Sequence, residues 1–202
     1  MKEIYFIRHS KPLDINNKFN KDSIQAINEK KILSLEGEES AKNKFNNLEF
    51  DNIEEIYSSN YVRAMQTAKI LADKNNLKIN IVSNFGERVI GIESWDEYPK
   101  DFEVHQFNDN NYKLKNGESL NEVQTRELEA LDYILDNSNS NKIAIAFHST
   151  AMMILLKKWC SVGYDSDYYF HGNQFFDGKW NYCETFKLVF NNKELISIEN
   201  IK

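Results

Sequence analysis

Two observations predict an α/β fold. Apolar runs of strand length alternate with stretches of helical periodicity, and polar, chemistry-bearing residues stand directly after several of those runs. The alternation favours a mostly parallel central sheet with helices on both faces, a three-layer α/β/α sandwich. Ligands in such sheets bind outside the carboxyl ends of the strands. The second observation therefore predicts where a site should lie.

The first run, residues 4–7 (Ile-Tyr-Phe-Ile), reads as a short buried strand that stops at the charged pair Arg8-His9. The polar stretch from Lys11 to Ser34 follows and is expected to be a loop covering a site. An amphipathic stretch over 38–48 predicts a helix, and 53–57 a second strand. Ser58-Ser59-Asn60 then offers an N-cap for a helix over 61–74. A third short strand is expected at 79–82. Leu120, Val123, Leu128, Leu131, Ile134 and Leu135 fall at mostly helical spacing, predicting a helix over 120–135. Residues 143–147 form the clearest strand, continuous and apolar, leading through His148-Ser149-Thr150 into a helix over 151–160. Residues 186–190 and 195–198 are expected to close the chain as a hairpin around Asn191-Asn192.

The 202 residues fit one domain, with a small cap insertion expected around 92–116, where Trp95, Tyr98, Phe102, Phe107 and Tyr112 cluster. Packing of that cap is the simpler role for these aromatics; lining a pocket is the alternative. Hydrophobic residues at 41% and charged residues at 28% describe an ordinary folded protein. A net charge of −6 argues against nucleic acid or an anionic membrane as partner. An acidic protein that binds phosphate must gather its cations locally. The two cysteines, Cys160 and Cys183, lack metal-ligand spacing and are expected as free thiols in a reducing compartment. The first apolar run is too short for a signal peptide or membrane span, so a cytoplasmic location is expected.

Four segments carry candidate chemistry. His9 at a strand end can present one ring nitrogen as a nucleophile, and Arg8 supplies a planar donor fork suited to phosphate. Arg63, in the first turn of a helix, can reach back toward the strand ends beside exposed N–H groups. His148 ends the clearest strand and, as a cation, would help neutralise a transferring phosphoryl group. Glu87, in Glu87-Arg88-Val89-Ile90-Gly91, would protonate a leaving alkoxide and then deprotonate water. Taken singly, the first three have plainer readings: a surface charge pair, a solvated helix arginine, a hydrogen-bonded core histidine; for Glu87 the alternatives are Glu93 and Glu97 close by. His105 and His171 match no motif and are read as surface or packing residues.

Taken together, the segments resemble the histidine phosphatase superfamily, which includes the cofactor-dependent phosphoglycerate mutases. The opening Arg-His-Gly appears as Arg8-His9-Ser10, and the Leu-Ser/Thr-x-x-Gly-x-x-x-Ala element as Leu33-Ser34 with Gly37 and Ala41. The more specific Ser-x-x-x-Arg-Ala-x-Gln-Thr-Ala element runs from Ser59 through Arg63-Ala64-Met65-Gln66-Thr67-Ala68. Glu87 to Gly91, then Trp95, Gly117-Glu118-Ser119 and the strand ending in His148 complete the order over residues 3–160. The resemblance implies a phosphoglycerate mutase-like sandwich. It implies His9 as phosphoryl acceptor, Arg8, Arg63 and His148 as phosphate ligands, Glu87 as acid/base, and neither metal nor cofactor. Ser10 and Ser149 depart from the pattern, each standing where glycine is usual.

A phosphomonoesterase acting on a small phosphorylated metabolite is the expected activity. The alternatives are a mutase-type phosphotransferase and a non-catalytic phospho-ligand-binding module. Family mutases carry Trp-Asn shortly after the nucleophile, whereas this chain has Lys11-Pro12-Leu13-Asp14-Ile15-Asn16.

Overall fold

The structure is a computed structural model that describes residues 1–14 and 22–202. Part of the expected covering loop, residues 15–21, lies outside the described residues.

Strand β1 (Lys2–Arg8) is followed by helices α1 (Ile24–Lys30) and α2 (Leu35–Phe45). Next come β2 (Glu55–Ser58), α3 (Val62–Asn75) and β3 (Ile79–Ile81). The middle of the chain holds α4 (Phe102–Asn108), α5 (Leu120–Asn137), β4 (Lys142–Phe147) and α6 (Ser149–Leu156). Three short strands follow, β5 (Ser161–Val162), β6 (Tyr168–Phe170) and β7 (Asn173–Phe176). The hairpin β8 (Thr185–Asn191) and β9 (Glu194–Ile201) ends the chain.

The main sheet has six strands in the order β3-β2-β4-β1-β8-β9. β1 to β4 run parallel, and β8 and β9 add an antiparallel edge. β1 sits between β4 and β8 and is buried on both faces, which is why its sequence is continuously apolar instead of alternating. Ile4 and Phe6 pack with Leu131, Ile134 and Leu155 of α5 and α6 on one face. Tyr5 and Ile7 pack with Ala41, Phe45, Ala68 and Leu71 of α2 and α3 on the other. Side chains alternate across a strand, so one four-residue run anchors both helical layers.

The sheet brings the loops after β1, β2 and β4 to one edge. His9 N–H donates to the Phe147 carbonyl and Ser59 N–H to the Ala146 carbonyl, at 2.9 and 3.0 Å. These bonds tie the three strand ends together just where the candidate residues begin.

Several boundaries differ from expectation for physical reasons. α2 starts three residues early because the Ser34 hydroxyl caps it, accepting from Gly37 N–H at 3.0 Å. α3 has Tyr61 as its N-cap, with no side-chain capping bond. In the Ser58-Ser59-Asn60 stretch expected to supply the cap, the Ser59 hydroxyl meets His148 at 2.8 Å and accepts from Tyr61 N–H at 3.3 Å. α6 ends at Leu156, and turns carry the chain to Cys160. Helix α1 stands where a loop was expected, capped by Ser23, which accepts from Ala26 N–H at 3.2 Å. The small sheet β5-β6-β7 was not anticipated: its strands are too short to show a period.

The 92–116 segment contains α4 and packs through its aromatics. Phe102 is fully buried, with Tyr98 and Tyr112 rings at 5.3 and 5.7 Å. Its base is pinned where Gly91, at φ +84°, meets Gly117: a Cβ on Gly91 would come within 2.1 Å of the Gly117 nitrogen. Cys160 and Cys183 are both buried and free.

Candidate active site

Arg63 is the hub of the site. Its Nε–H donates to His9 Nε2 at 3.0 Å, one terminal nitrogen to His148 Nδ1 at 3.2 Å, and the other to the Asn28 carbonyl of α1 at 2.5 Å. Three residues from three strand ends thus meet, with the His9 and His148 rings 5.2 Å apart. All three side chains are buried: His9 is 6% exposed, Arg63 4% and His148 0%.

The network sets the tautomers. His9 Nδ1 lies 2.7 Å from the Ser10 carbonyl, which only accepts, so Nδ1 carries the proton and Nε2 keeps its lone pair. His148 Nδ1 accepts from Arg63, so its Nε2–H faces the Ser59 hydroxyl at 2.8 Å. Burial, reinforced by the Arg63 charge, pushes the His9 imidazole down to about 3. The same two causes hold His148 well below its ordinary value. Both histidines are therefore neutral in the unliganded protein. Sequence reasoning took His148 as a cation against a transferring phosphoryl group; in the unliganded protein burial, then the Arg63 charge, disfavours the charged form.

Arg8 closes another side. One terminal nitrogen donates to the Trp180 carbonyl at 3.0 Å, its guanidinium lies 4.9 Å over the Tyr182 ring, and its Nε is buried without a partner. Phosphate oxygens are acceptors of matching geometry for a buried guanidinium N–H that no acceptor of the chain engages. Burial lowers the Arg8 and Arg63 values, and the nearby Glu87 carboxylate opposes the shift in both.

Glu87 sits at the amino end of α6, two residues beyond the turn that ends β3. Its Oε1 accepts from Ala151 N–H at 3.0 Å and from Arg88 N–H at 2.9 Å, leaving Oε2 outside those bonds. The neighbouring carboxylates Glu93 and Glu97 are exposed, and Glu97 accepts from Glu93 N–H at 3.4 Å. Two arginines hold the Glu87 loop. Arg126 is paired with Glu118 at 2.8 Å and donates to the carbonyls of Asn84, Gly86 and Glu87 at 2.5, 3.0 and 3.4 Å. Arg88, 7% exposed, pairs with Glu103 at 2.8 Å. Beside them Glu127 is fully buried with neither carboxyl oxygen bonded, and burial raises it well above the ordinary carboxyl value.

Ser10 proves compatible with its position. It is fully buried, its N–H donates to Thr67 Oγ1 at 3.0 Å, and its hydroxyl donates to the Gly37 carbonyl at 2.6 Å. A small side chain with a satisfied hydroxyl replaces glycine without a positive φ. Ser149 likewise has no positive φ and opens α6. His105 and His171 are exposed, stacked only on neighbouring aromatics. Among the described residues no group of three or more His, Cys, Asp or Glu is placed to hold a metal, and no helix is long and apolar enough to cross a membrane.

Sequence reasoning missed Tyr61, Trp180, Tyr182 and the Arg126–Glu118 pair. The Tyr61 ring stands 4.6 Å from the His148 ring and beneath Arg63. Tyr61 lies inside the matched Ser59–Ala68 element, but the motif leaves its position open; Trp180 and Tyr182 follow the unanticipated small sheet.

Comparison with known proteins agrees with this picture. No curated protein matches the sequence. Among solved structures, a mycobacterial glucosyl-3-phosphoglycerate phosphatase superposes with a TM-score of 0.67 at 14% identity, covering 93% of this chain and 89% of its own. A putative alpha-ribazole-5'-P phosphatase from Escherichia coli str. K-12 substr. MG1655 gives 0.70 at 15% identity, covering 99% and 96%. The protein YhfR of Bacillus stearothermophilus gives 0.70 at 19% identity, covering 97% and 95%. At such identities the likeness is one of fold. The family itself is recognised from sequence, over residues 4–176, as the histidine phosphatase superfamily (branch 1). Motif order, sheet topology and a match across most of the chain concur: this chain belongs to the histidine phosphatase superfamily.

Proposed function

We propose that the chain is a phosphomonoester hydrolase that works through a phosphohistidine on His9, without a metal, on a small phosphorylated metabolite. The observation that carries the reading is the His9 tautomer. Its Nδ1–H is tied to the Ser10 carbonyl at 2.7 Å, so a neutral ring presents the Nε2 lone pair beside two arginines. The names of two fold relatives, a glucosyl-3-phosphoglycerate phosphatase and a putative alpha-ribazole-5'-P phosphatase, support hydrolysis over a mutase reaction. The two buried free thiols support a reducing, cytoplasmic setting.

The chemistry follows from the geometry. Nε2 attacks phosphorus in line, and the bond to the leaving oxygen breaks as Glu87 gives that oxygen a proton. Positive charge on the phosphorylated ring is shared with the Ser10 carbonyl through Nδ1–H. Arg8 and Arg63, donors worth ~3–4 kcal/mol each where they meet transition-state charge, hold the equatorial oxygens, with His148 against Arg63. Water then attacks phosphorus, Glu87 takes its proton, and the N–P bond breaks to return the pair to Nε2 and release inorganic phosphate.

The test is an alkali-quenched reaction run in EDTA with p-nitrophenyl phosphate. Acid-labile, base-stable phosphate should appear on His9 at the same rate as without chelator, and His9→Ala should lose turnover by several orders of magnitude while remaining folded. Full activity in His9→Ala, or strict dependence on a divalent ion, overturns the proposal.

A further inference from the structure

Behind the residues that bond to Arg63, Tyr61 and Glu87 lies a cavity whose walls are of a different character. It has a volume of ≈450 Å³ and runs between α1 and residues 89–95. Ile24 and Ile27 line one side, and Val89, Ile90, Ile92 and Trp95 the other. Trp95 is 63% exposed, with its ring set against Tyr98. An indole left this open, across from two half-buried isoleucines, is apolar surface that an apolar ligand would remove from water. The volume is within the roughly 300–1,000 Å³ of small-molecule sites.

The cavity shares walls with the phosphoryl site. Asn28 lines it, and the Asn28 carbonyl accepts from Arg63 at 2.5 Å. Gln25 lines it and donates to the Tyr61 hydroxyl at 2.7 Å, whose ring faces His148. Arg88 lines it, and its backbone N–H donates to Glu87 Oε1. An ester held by its phosphoryl group at His9, with its leaving oxygen at Glu87, thus has this space next to its organic part. Charge gives no competing instruction: Arg88 is neutralised by Glu103, and Lys31 and Glu93, also in the lining, have opposite signs. A second cavity of ≈340 Å³ shares Arg88 as a wall, and its lining is mixed: Glu103, Asp165 and Thr150 stand among Leu120, Met153 and Trp180.

We propose that the 450 Å³ cavity receives the organic group of the substrate, and that the substrate class is phosphomonoesters of apolar, ring-bearing alcohols or phenols instead of simple sugar phosphates. The inference rests on the phosphohistidine phosphatase reading, and the experiment separates the two.

Phenyl phosphate and 2-naphthyl phosphate have leaving oxygens of similar acidity and differ by one fused ring. Wild-type protein should favour the naphthyl ester by about tenfold or more in kcat/KM, the effect of burying four further ring carbons. Trp95→Ala, at an exposed position where folding is not at stake, should reduce that preference about fivefold or more, and Ile27→Asn should do likewise. Equal kcat/KM for the two esters in wild type, or a preference retained in both variants, overturns the cavity assignment while the phosphatase stands. Absence of turnover with either ester, together with no phosphate on His9, overturns the phosphatase reading and this inference with it.

Discussion

Replacing Glu87 by glutamine tests the acid without disturbing its scaffold. Glu87 Oε1 accepts two backbone N–H groups, one of them in the first turn of α6, at 3.0 and 2.9 Å. Glutamine retains a carbonyl oxygen for both, so the stability change should stay within about 1 kcal/mol, whereas Glu87→Ala should lose about 1–2 kcal/mol as a lost cap. What glutamine cannot do is carry a proton on Oε2, the oxygen those bonds leave aside. An alkoxide needs that proton as the P–O bond breaks; a nitrophenolate leaves without it. Glu87→Gln should therefore slow phosphorylation of His9 by an alkyl phosphate by ~10²–10⁴-fold, and by p-nitrophenyl phosphate far less. Because water attack uses the same carboxylate, steady-state turnover conflates the two halves, so the quantity to measure is the pre-steady-state burst by rapid quench. Equal loss in both bursts, with unchanged melting temperature, refutes the acid role. Selective loss in Glu93→Gln or Glu97→Gln instead would be still more telling, since the structure leaves both exposed.

Two further variants probe the support around that carboxylate. Arg126→Met removes the pairing to Glu118, at side chains only 20% and 23% exposed, and the bonds to the carbonyls of Asn84, Gly86 and Glu87. It should cost about 2–3 kcal/mol in urea unfolding and ~10–100-fold in the alkyl phosphate burst, with the nitrophenyl burst less affected. Equal effects on both bursts would reduce Arg126 to a purely structural part. Glu127→Gln addresses a buried carboxyl raised well above its ordinary value of 4.5. The folded protein keeps a proton there that the unfolded chain releases, so wild-type stability falls as pH rises above that value. The slope is about 1.4 kcal/mol per pH unit until Glu127 ionises. Urea unfolding at pH 5, 6 and 7 should show the gap widening in favour of the glutamine variant; a gap independent of pH contradicts a protonated Glu127.

The sequence showed most of the sheet because β1 and β4 are unbroken apolar runs, and burial on both faces admits little else. The meeting of His9, Arg63 and His148 was legible for a related reason: each follows a parallel strand, and parallel strands deliver their carboxyl ends to one edge. Helix α1 was not legible. It buries none of its residues fully, so it lacks the apolar stripe that announces a helix. β5 to β7, two to four residues each, are likewise below the length at which alternation can be counted. Protonation was the least visible property. A histidine after a strand looks much the same in sequence whether it is charged or neutral, and only the depth of His148 beside Arg63 decides.

Arg63 has a consequence for how the proposed enzyme rests between turnovers. Its Nε–H covers the lone pair of His9, and its two terminal nitrogens already hold His148 and the Asn28 carbonyl. An incoming phosphoryl oxygen must displace one of these acceptors, so its bond is an exchange, and the ground-state gain is only the difference between two hydrogen bonds. When inorganic phosphate leaves, the Arg63 guanidinium falls back on its internal partners. Arg63 is thus self-saturated at rest, which weakens its hold on product relative to a bare arginine and shields His9 Nε2 from stray protons. Through Asn28 the same exchange reaches α1, one wall of the apolar cavity.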